Sequence, residues 1–209
     1  MRLFFNSKTF TTPERDAFSN LVGKPIGEIS VGFVTNARDL KPPLPEGYRG
    51  TKEEVAEAVG QLEEIDLRGY IGKPAELKQR IGSFDVLWLG GGNTYYLRYI
   101  LSEVGFEPII RELLNRDLVL AGTSAGAIVA GPTLKYFDKM DDPSNPPKLI
   151  EEGLGLIDFV IIPHWDDPKH TGLPRQVRHE LLTNTGFETL PLNDGQAVVI
   201  NGDKRTIVR

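Results

Sequence analysis

Along the chain, short apolar runs alternate with stretches whose apolar positions recur every three to four residues. Leu3-Phe4-Phe5, residues 28–35 and Asp85-Val86-Leu87-Trp88-Leu89 read as strands, as does the apolar opening of 118–130. Between them lie helical segments. Thr11, Pro13 and Glu14 form a helix start, and that helix turns Phe18, Leu21 and Val22 inward before Gly23. Thr51 to Glu54 reads as a capping box, followed by Val55, Ala58, Val59 and Leu62 on one helical face. A short strand is expected over 65–67, and helices over 73–81, 95–101, 106–115 and 173–183. The last run, Ala197-Val198-Val199-Ile200, meets Asn201-Gly202, a hairpin signal closed by 206–208. This alternation predicts an α/β fold: a doubly wound, mostly parallel sheet with helices on both faces.

Residues 36–50 and 139–149 break the pattern with Pro, Gly and polar residues and read as loops; a loop as long as the first, at a strand end, is a candidate for function. No repeat, low-complexity segment or domain boundary interrupts the chain, so residues 1–209 are expected to form one domain.

Composition removes whole classes of function. The 209 residues carry a net charge of −5 and no dominant basic patch, which argues against nucleic acid. No apolar run is long enough to span a bilayer, and the N-terminus reads as a first strand rather than a signal peptide. There is no cysteine, hence no disulfide, thiolate metal site or thiol nucleophile. A cytoplasmic location without membrane contact is expected, and a homodimer stays open as the assembly.

Candidate chemistry concentrates in Gly122-Thr123-Ser124-Ala125-Gly126, a G-x-S-x-G sequence at the end of an apolar run. Such a serine sits on a sharp strand-to-helix turn with its hydroxyl exposed, next to free amides of the new helix. Its alternative is a tight turn with small residues chosen for packing. A serine nucleophile needs a base. Of three histidines, His164 directly follows the apolar run 155–163, whereas His170 lies in a polar loop and His179 in mid-helix. A carboxylate must orient the base, and Asp138, Asp141, Asp142, Asp166, Asp167 and Asp194 are candidates. Asp194 is anchored by the strand after it, but spacing alone does not choose. Oxyanion donors are expected from Ala125 N–H and from the triglycine, Gly91 and Gly92; the triglycine's alternative is phosphate binding, although the full G-x-G-x-x-G pattern is absent.

Gly90-Gly-Gly-Asn-Thr94, Gly122-Thr-Ser-Ala-Gly-Ala127 and Ile162-Pro-His164, in that order and spacing, resemble the peptidase E (aspartyl dipeptidase) family of serine peptidases, which includes cyanophycinases. The resemblance is strongest over residues 80–202. It implies a fold like the glutaminase domain of class I amidotransferases, with serine in place of cysteine, and a Ser–His–Glu triad. Ser124 and His164 match the first two members. Asp194, in Asn193-Asp194-Gly195, stands where the family has Glu, one methylene shorter. The triad reading supplies every role from side chains and backbone and so expects neither metal nor cofactor; the resemblance further implies small peptide substrates with an acidic residue and an arginine downstream of the histidine that faces it. Arg175 is the match for that arginine, with Asn93 as a second substrate-facing candidate. Two other readings remain: a ligand-binding, non-catalytic member of the same fold, and a metal hydrolase built on His164, Asp166, Asp167 and His170.

Overall fold

The computed structural model describes residues 1–43, 46, 49–170 and 172–209. Within the loop expected over 36–50, Leu44, Pro45, Gly47 and Tyr48 lie outside the described residues, as does Thr171 further on.

Strand β1 (Arg2–Asn6) leads into helix α1 (Thr12–Val22), whose start is fixed by the Glu14 carboxylate accepting from Thr11 N–H and Oγ1 at 2.6 and 2.8 Å. Strand β2 (Ser30–Val34), helix α2 (Thr51–Ala58) and strand β3 (Gln61–Ile65) come next. Then come α3 (Pro74–Ile81), β4 (Val86–Leu89), α4 (Thr94–Glu103), α5 (Phe106–Leu114), β5 (Val119–Thr123) and the four-residue α6 (Ala125–Ile128). The chain closes with β6 (Val160–Ile162), α7 (Leu173–Asn184), β7 (Thr189–Pro191), β8 (Ala197–Asn201) and β9 (Lys204–Val208).

Seven strands form the main sheet in the order β3-β2-β4-β5-β1-β8-β9. The first five run parallel; β8 and β9 are an antiparallel hairpin added at the β1 edge. The inner parallel strands are apolar on both faces, as a sheet covered on both sides demands. One face buries Phe4, Phe10, Phe18 and Trp88 under α1 and α2; the other buries Leu87, Leu89, Leu120 and the inward sides of α3 to α7. The expected doubly wound α/β fold is therefore found.

Two local expectations are corrected, and the run before His164 takes a place the sequence left open. The helix expected to carry Leu62 stops at Ala58, the chain is extended from Val59, and Leu62 lies in β3, which replaces the strand expected at 65–67; Gly60 between them passes so close to Gly27 that a Cβ would lie 2.2 Å from its carbonyl oxygen. The cap of α2 is Gly50 rather than Thr51, with Glu53 accepting from Gly50 N–H at 3.0 Å. Finally, the run ending at His164 does not join the main sheet. Its three strand residues pair with β7 in a separate two-stranded parallel sheet.

Candidate active site

Ligands of open parallel sheets gather beyond the carboxyl ends of the strands. Here β5 lies between β4 and β1, so the turn leaving β5 is flanked by the segments leaving its two neighbours. Ser124 follows β5, the triglycine follows β4, and Ser7-Lys8 follow β1.

Ser124 has φ 51° and ψ −109°, a conformation that costs a non-glycine residue about 1–3 kcal/mol and persists only where its surroundings impose it. They do so here. Ser124 N–H donates to the Asn6 carbonyl at 3.2 Å, and the Ser124 carbonyl accepts from Ala127 and Ile128 N–H, both at 2.9 Å. The small flanking residues are needed for close approach: a Cβ at Gly126 would stand 2.0 Å from the Leu89 carbonyl oxygen. The turn is further tied to β1 by a buried chain in which Trp88 Nε1 donates to Thr123 Oγ1 and Thr123 Oγ1 donates to Asn6 Oδ1, at 3.0 and 2.6 Å.

The Ser124 hydroxyl stands 3.0 Å from His164 Nε2, and His164 Nδ1 stands 2.9 Å from Asp194 Oδ1. His164 also has a positive φ, 58°, and its backbone N–H donates to Ser7 Oγ at 2.8 Å. Ser7 Oγ in turn donates to Asp194 Oδ1 at 2.7 Å, so one fully buried hydroxyl links the backbone of the histidine to the carboxylate facing its ring. Lys8 Nζ lies 3.2 Å from the other Asp194 oxygen. Burial alone would raise the Asp194 pKa, but hydrogen bonds from His164 and Ser7 and the nearby positive charges outweigh it and hold it at about 2.

The other candidate carboxylates are engaged elsewhere. Asp138 lies 3.5 Å from Lys139 Nζ, Asp141 accepts from Thr94 N–H and Oγ1, Asp142 from Ser144, and Asp166 from Asp194 N–H. Asp167 accepts from Lys169 N–H and faces Lys8 and His170. His179 is exposed on α7.

Beside Ser124 opens a cavity of about 590 Å³ whose lining includes Gly90, Gly91, Gly92, Lys8, Arg38, Lys41, Lys52 and His170. The Gly91 backbone passes so near that a Cβ there would lie 3.3 Å from Ser124 Cβ. Gly92 has φ 152° and no room for a side chain against the Ala37 carbonyl. Neither the Gly91 nor the Gly92 N–H is taken by a described carbonyl, and Ala125 N–H is in the first turn of α6, where amides lack helical partners.

Two expected substrate contacts fall elsewhere. Asn93 is fully buried as the cap of α4, with Oδ1 accepting from Tyr96 N–H at 2.8 Å and Nδ2 donating to the Asp142 carbonyl at 2.9 Å. Arg175 is exposed at the start of α7 with its guanidinium 5.5 Å from the centre of the Trp165 ring, and it does not line the cavity. Arg38 does, and it pairs with no carboxylate among the described residues; its Nη2 donates to the Pro42 carbonyl at 3.3 Å. Ser7, Lys8 and Arg38 carry no sequence signal of their own. Their place is set only by the strand order.

A mostly parallel α/β sheet with a serine on the strained turn after a central strand is the architecture of a class of serine-type peptidases. This chain belongs to that class as a member of peptidase family S51, whose model matches residues 16–208. It is 32% identical over 169 residues to "Peptidase E" of Shewanella amazonensis, covering 78% of this chain and 69% of that one. It is 33% identical over 150 residues to the "Probable alpha-aspartyl dipeptidase" of Drosophila melanogaster, covering 69% and 61%. A solved structure of a candidate peptidase E from Listeria monocytogenes EGD-e shares the fold with a TM-score of 0.83 at 23% identity, over 100% of this chain and 98% of that one.

Proposed function

We propose that the chain hydrolyses small peptides with Ser124 as nucleophile, His164 as base and Asp194 as the carboxylate that orients the base. The observation that carries this reading is the unbroken relay at 3.0 and 2.9 Å, with Ser124 and His164 in the wall of the cavity. Ser124 Oγ attacks the peptide carbonyl carbon as its proton passes to His164 Nε2, and ionised Asp194 stabilises the imidazolium. The carbonyl oxygen becomes an oxyanion held by Ala125 N–H and by the Gly91 and Gly92 amides. The intermediate collapses as His164 gives the proton to the leaving amine. Water then attacks the acyl-enzyme with His164 again as base.

The substrate reading is a short peptide with an acidic side chain. A 590 Å³ cavity is within the range of small-ligand sites. Four cationic side chains line it against two carboxylates, Glu53 and Glu64, both of which lie near Lys52 in Glu–Lys pairs. Arg38 supplies a guanidinium fork for a substrate carboxylate, in the role the sequence suggested for Arg175. The name of the Drosophila relative accords with this reading.

The deciding experiment replaces Ser124 by Ala and measures cleavage of aspartyl dipeptides together with labelling by a fluorophosphonate. A rate loss of about 10⁴ to 10⁶ and no labelling are expected, with thermal unfolding unchanged. Retention of most of the activity would remove Ser124 from the mechanism; a wild-type chain that neither labels nor cleaves would make the site a ligand-binding one.

A further inference from the structure

One side-chain cluster shares its first histidine with the serine mechanism, which makes no use of the other two members. His164, Asp167 and His170 each present a ligand atom, and these atoms lie within 4.8 Å of one another. Two imidazoles and a carboxylate are a donor set suited to zinc and its first-row neighbours rather than to magnesium or calcium. Around a tetrahedral zinc at about 2.0–2.1 Å, neighbouring ligand atoms stand roughly 3.3 Å apart. His170 Nδ1 and Asp167 Oδ2 are already 3.4 Å apart. The His164 and His170 rings lie side by side, with centres 5.1 Å apart and planes 22° from parallel. His170, whose side chain is 38% exposed in the turn before α7, has the most freedom to close on the ion. Asp167 is held in place, since its Oδ1 accepts from Lys169 N–H at 2.8 Å.

We propose that His164, Asp167 and His170 form an inhibitory zinc site that closes over the catalytic histidine. Inhibition is a consequence of the relay and so rests on the serine-peptidase reading. Both ring nitrogens of His164 are committed, Nε2 to Ser124 and Nδ1 to Asp194. Whichever nitrogen the ion takes, one of those two links is broken: the base either cannot accept the serine proton or loses the carboxylate that orients it. Binding displaces a proton or a hydrogen bond and involves no change of oxidation state. The ion is thus an antagonist here, opposite to its role in a metal hydrolase. Asp166, which the sequence grouped with these residues, is turned away to cap Asp194 N–H. Lys8, 3.5 Å from Asp167 Oδ2, opposes the ion with its positive charge and must swing aside for it to bind.

The test has two arms. In the first, zinc chloride is titrated calorimetrically into the Ser124→Ala protein, which retains all three ligands. One ion per chain is expected, with affinity reduced at least roughly tenfold by adding His164→Asn, His170→Asn or Asp167→Asn. In the second, peptide hydrolysis is monitored in zinc, with each protein normalised to its own zinc-free rate. Wild type is expected to lose activity reversibly, with chelator restoring it and magnesium without effect, and His170→Asn is expected to need at least about tenfold more zinc. No binding to Ser124→Ala, or a His170→Asn protein as zinc-sensitive as wild type, would overturn the site. Zinc that binds through all three residues and leaves hydrolysis untouched would uphold the site and overturn the place of His164 in the relay.

Discussion

At the scale of single residues, the site depends on how its ionisable groups are held. Asp194 has its pKa held at about 2 against an ordinary 3.8, because the donors around it outweigh the burial that would raise it. A carboxyl depressed by folding contributes stability that is fully present above the unfolded value and is lost as pH falls through the folded one. The window here is therefore about pH 4 down to pH 2, and the contribution about 2 kcal/mol. Asp194→Asn is expected to flatten that part of the stability curve, measured by urea unfolding at stepped pH, and to lower the hydrolysis rate roughly 10² to 10⁴-fold at neutral pH. A variant whose acid limb matches wild type would place the depressed carboxyl elsewhere. The sequence made Ser124 and His164 legible because each ends an apolar run and the first carries the G-x-S-x-G signature. Asp194 was one of six carboxylates, separated from the others by its anchored strand and by resemblance. Ser7 was invisible: it meets His164 across 157 residues, and nothing local marks a serine after a strand as the clasp of a distant histidine.

The elements explain why the serine is where it is. β5, the turn and α6 act as one unit, since the four-residue helix has too few hydrogen bonds to stand alone and is held by the strands beneath it. Gly126 lies where α6 meets the end of β4, and its missing side chain sets the depth at which Ser124 sits. Gly126→Ala is expected to cost roughly 3 kcal/mol or more, because the Cβ meets a backbone carbonyl that cannot rotate away. Chemical denaturation checks this, and a loss below about 1 kcal/mol would mean that the turn relaxes freely. The strands and most helices were legible because a doubly wound sheet writes continuous apolar runs beside 3.6-residue patterns. The α2–β3 boundary was not. Val55, Ala58, Val59 and Leu62 fit a helical face by spacing, yet the chain is already extended at Val59 and Leu62 belongs to a strand. Nor did the run before His164 reveal that it leaves the main sheet, since a short apolar strand reads alike in either sheet.

For the whole molecule, the net charge of −5 and the lining of the cavity have opposite signs. Cationic side chains gathered in a concave, partly desolvated site draw an anionic substrate more strongly than the same charges would on an open surface. Lys41 and Lys52 approach carboxylates of the chain, and Lys8 is shared between Asp167 and Asp194. Arg38 alone among these four cations faces the cavity without a described carboxylate partner, so a substrate carboxylate would meet it without displacing an internal ion pair. Arg38→Gln keeps much of the side chain's length and polarity and removes its charge. With aspartyl dipeptides it is expected to lower kcat/KM by roughly 10 to 100-fold, the worth of a charge-assisted hydrogen bond of about 1.5–3 kcal/mol. With neutral dipeptides the change should stay within about threefold, and the gap between the two substrates should narrow as salt screens the cavity. An equal fall on both kinds of substrate would assign Arg38 to the shape of the cavity and remove it from recognition of an acidic side chain.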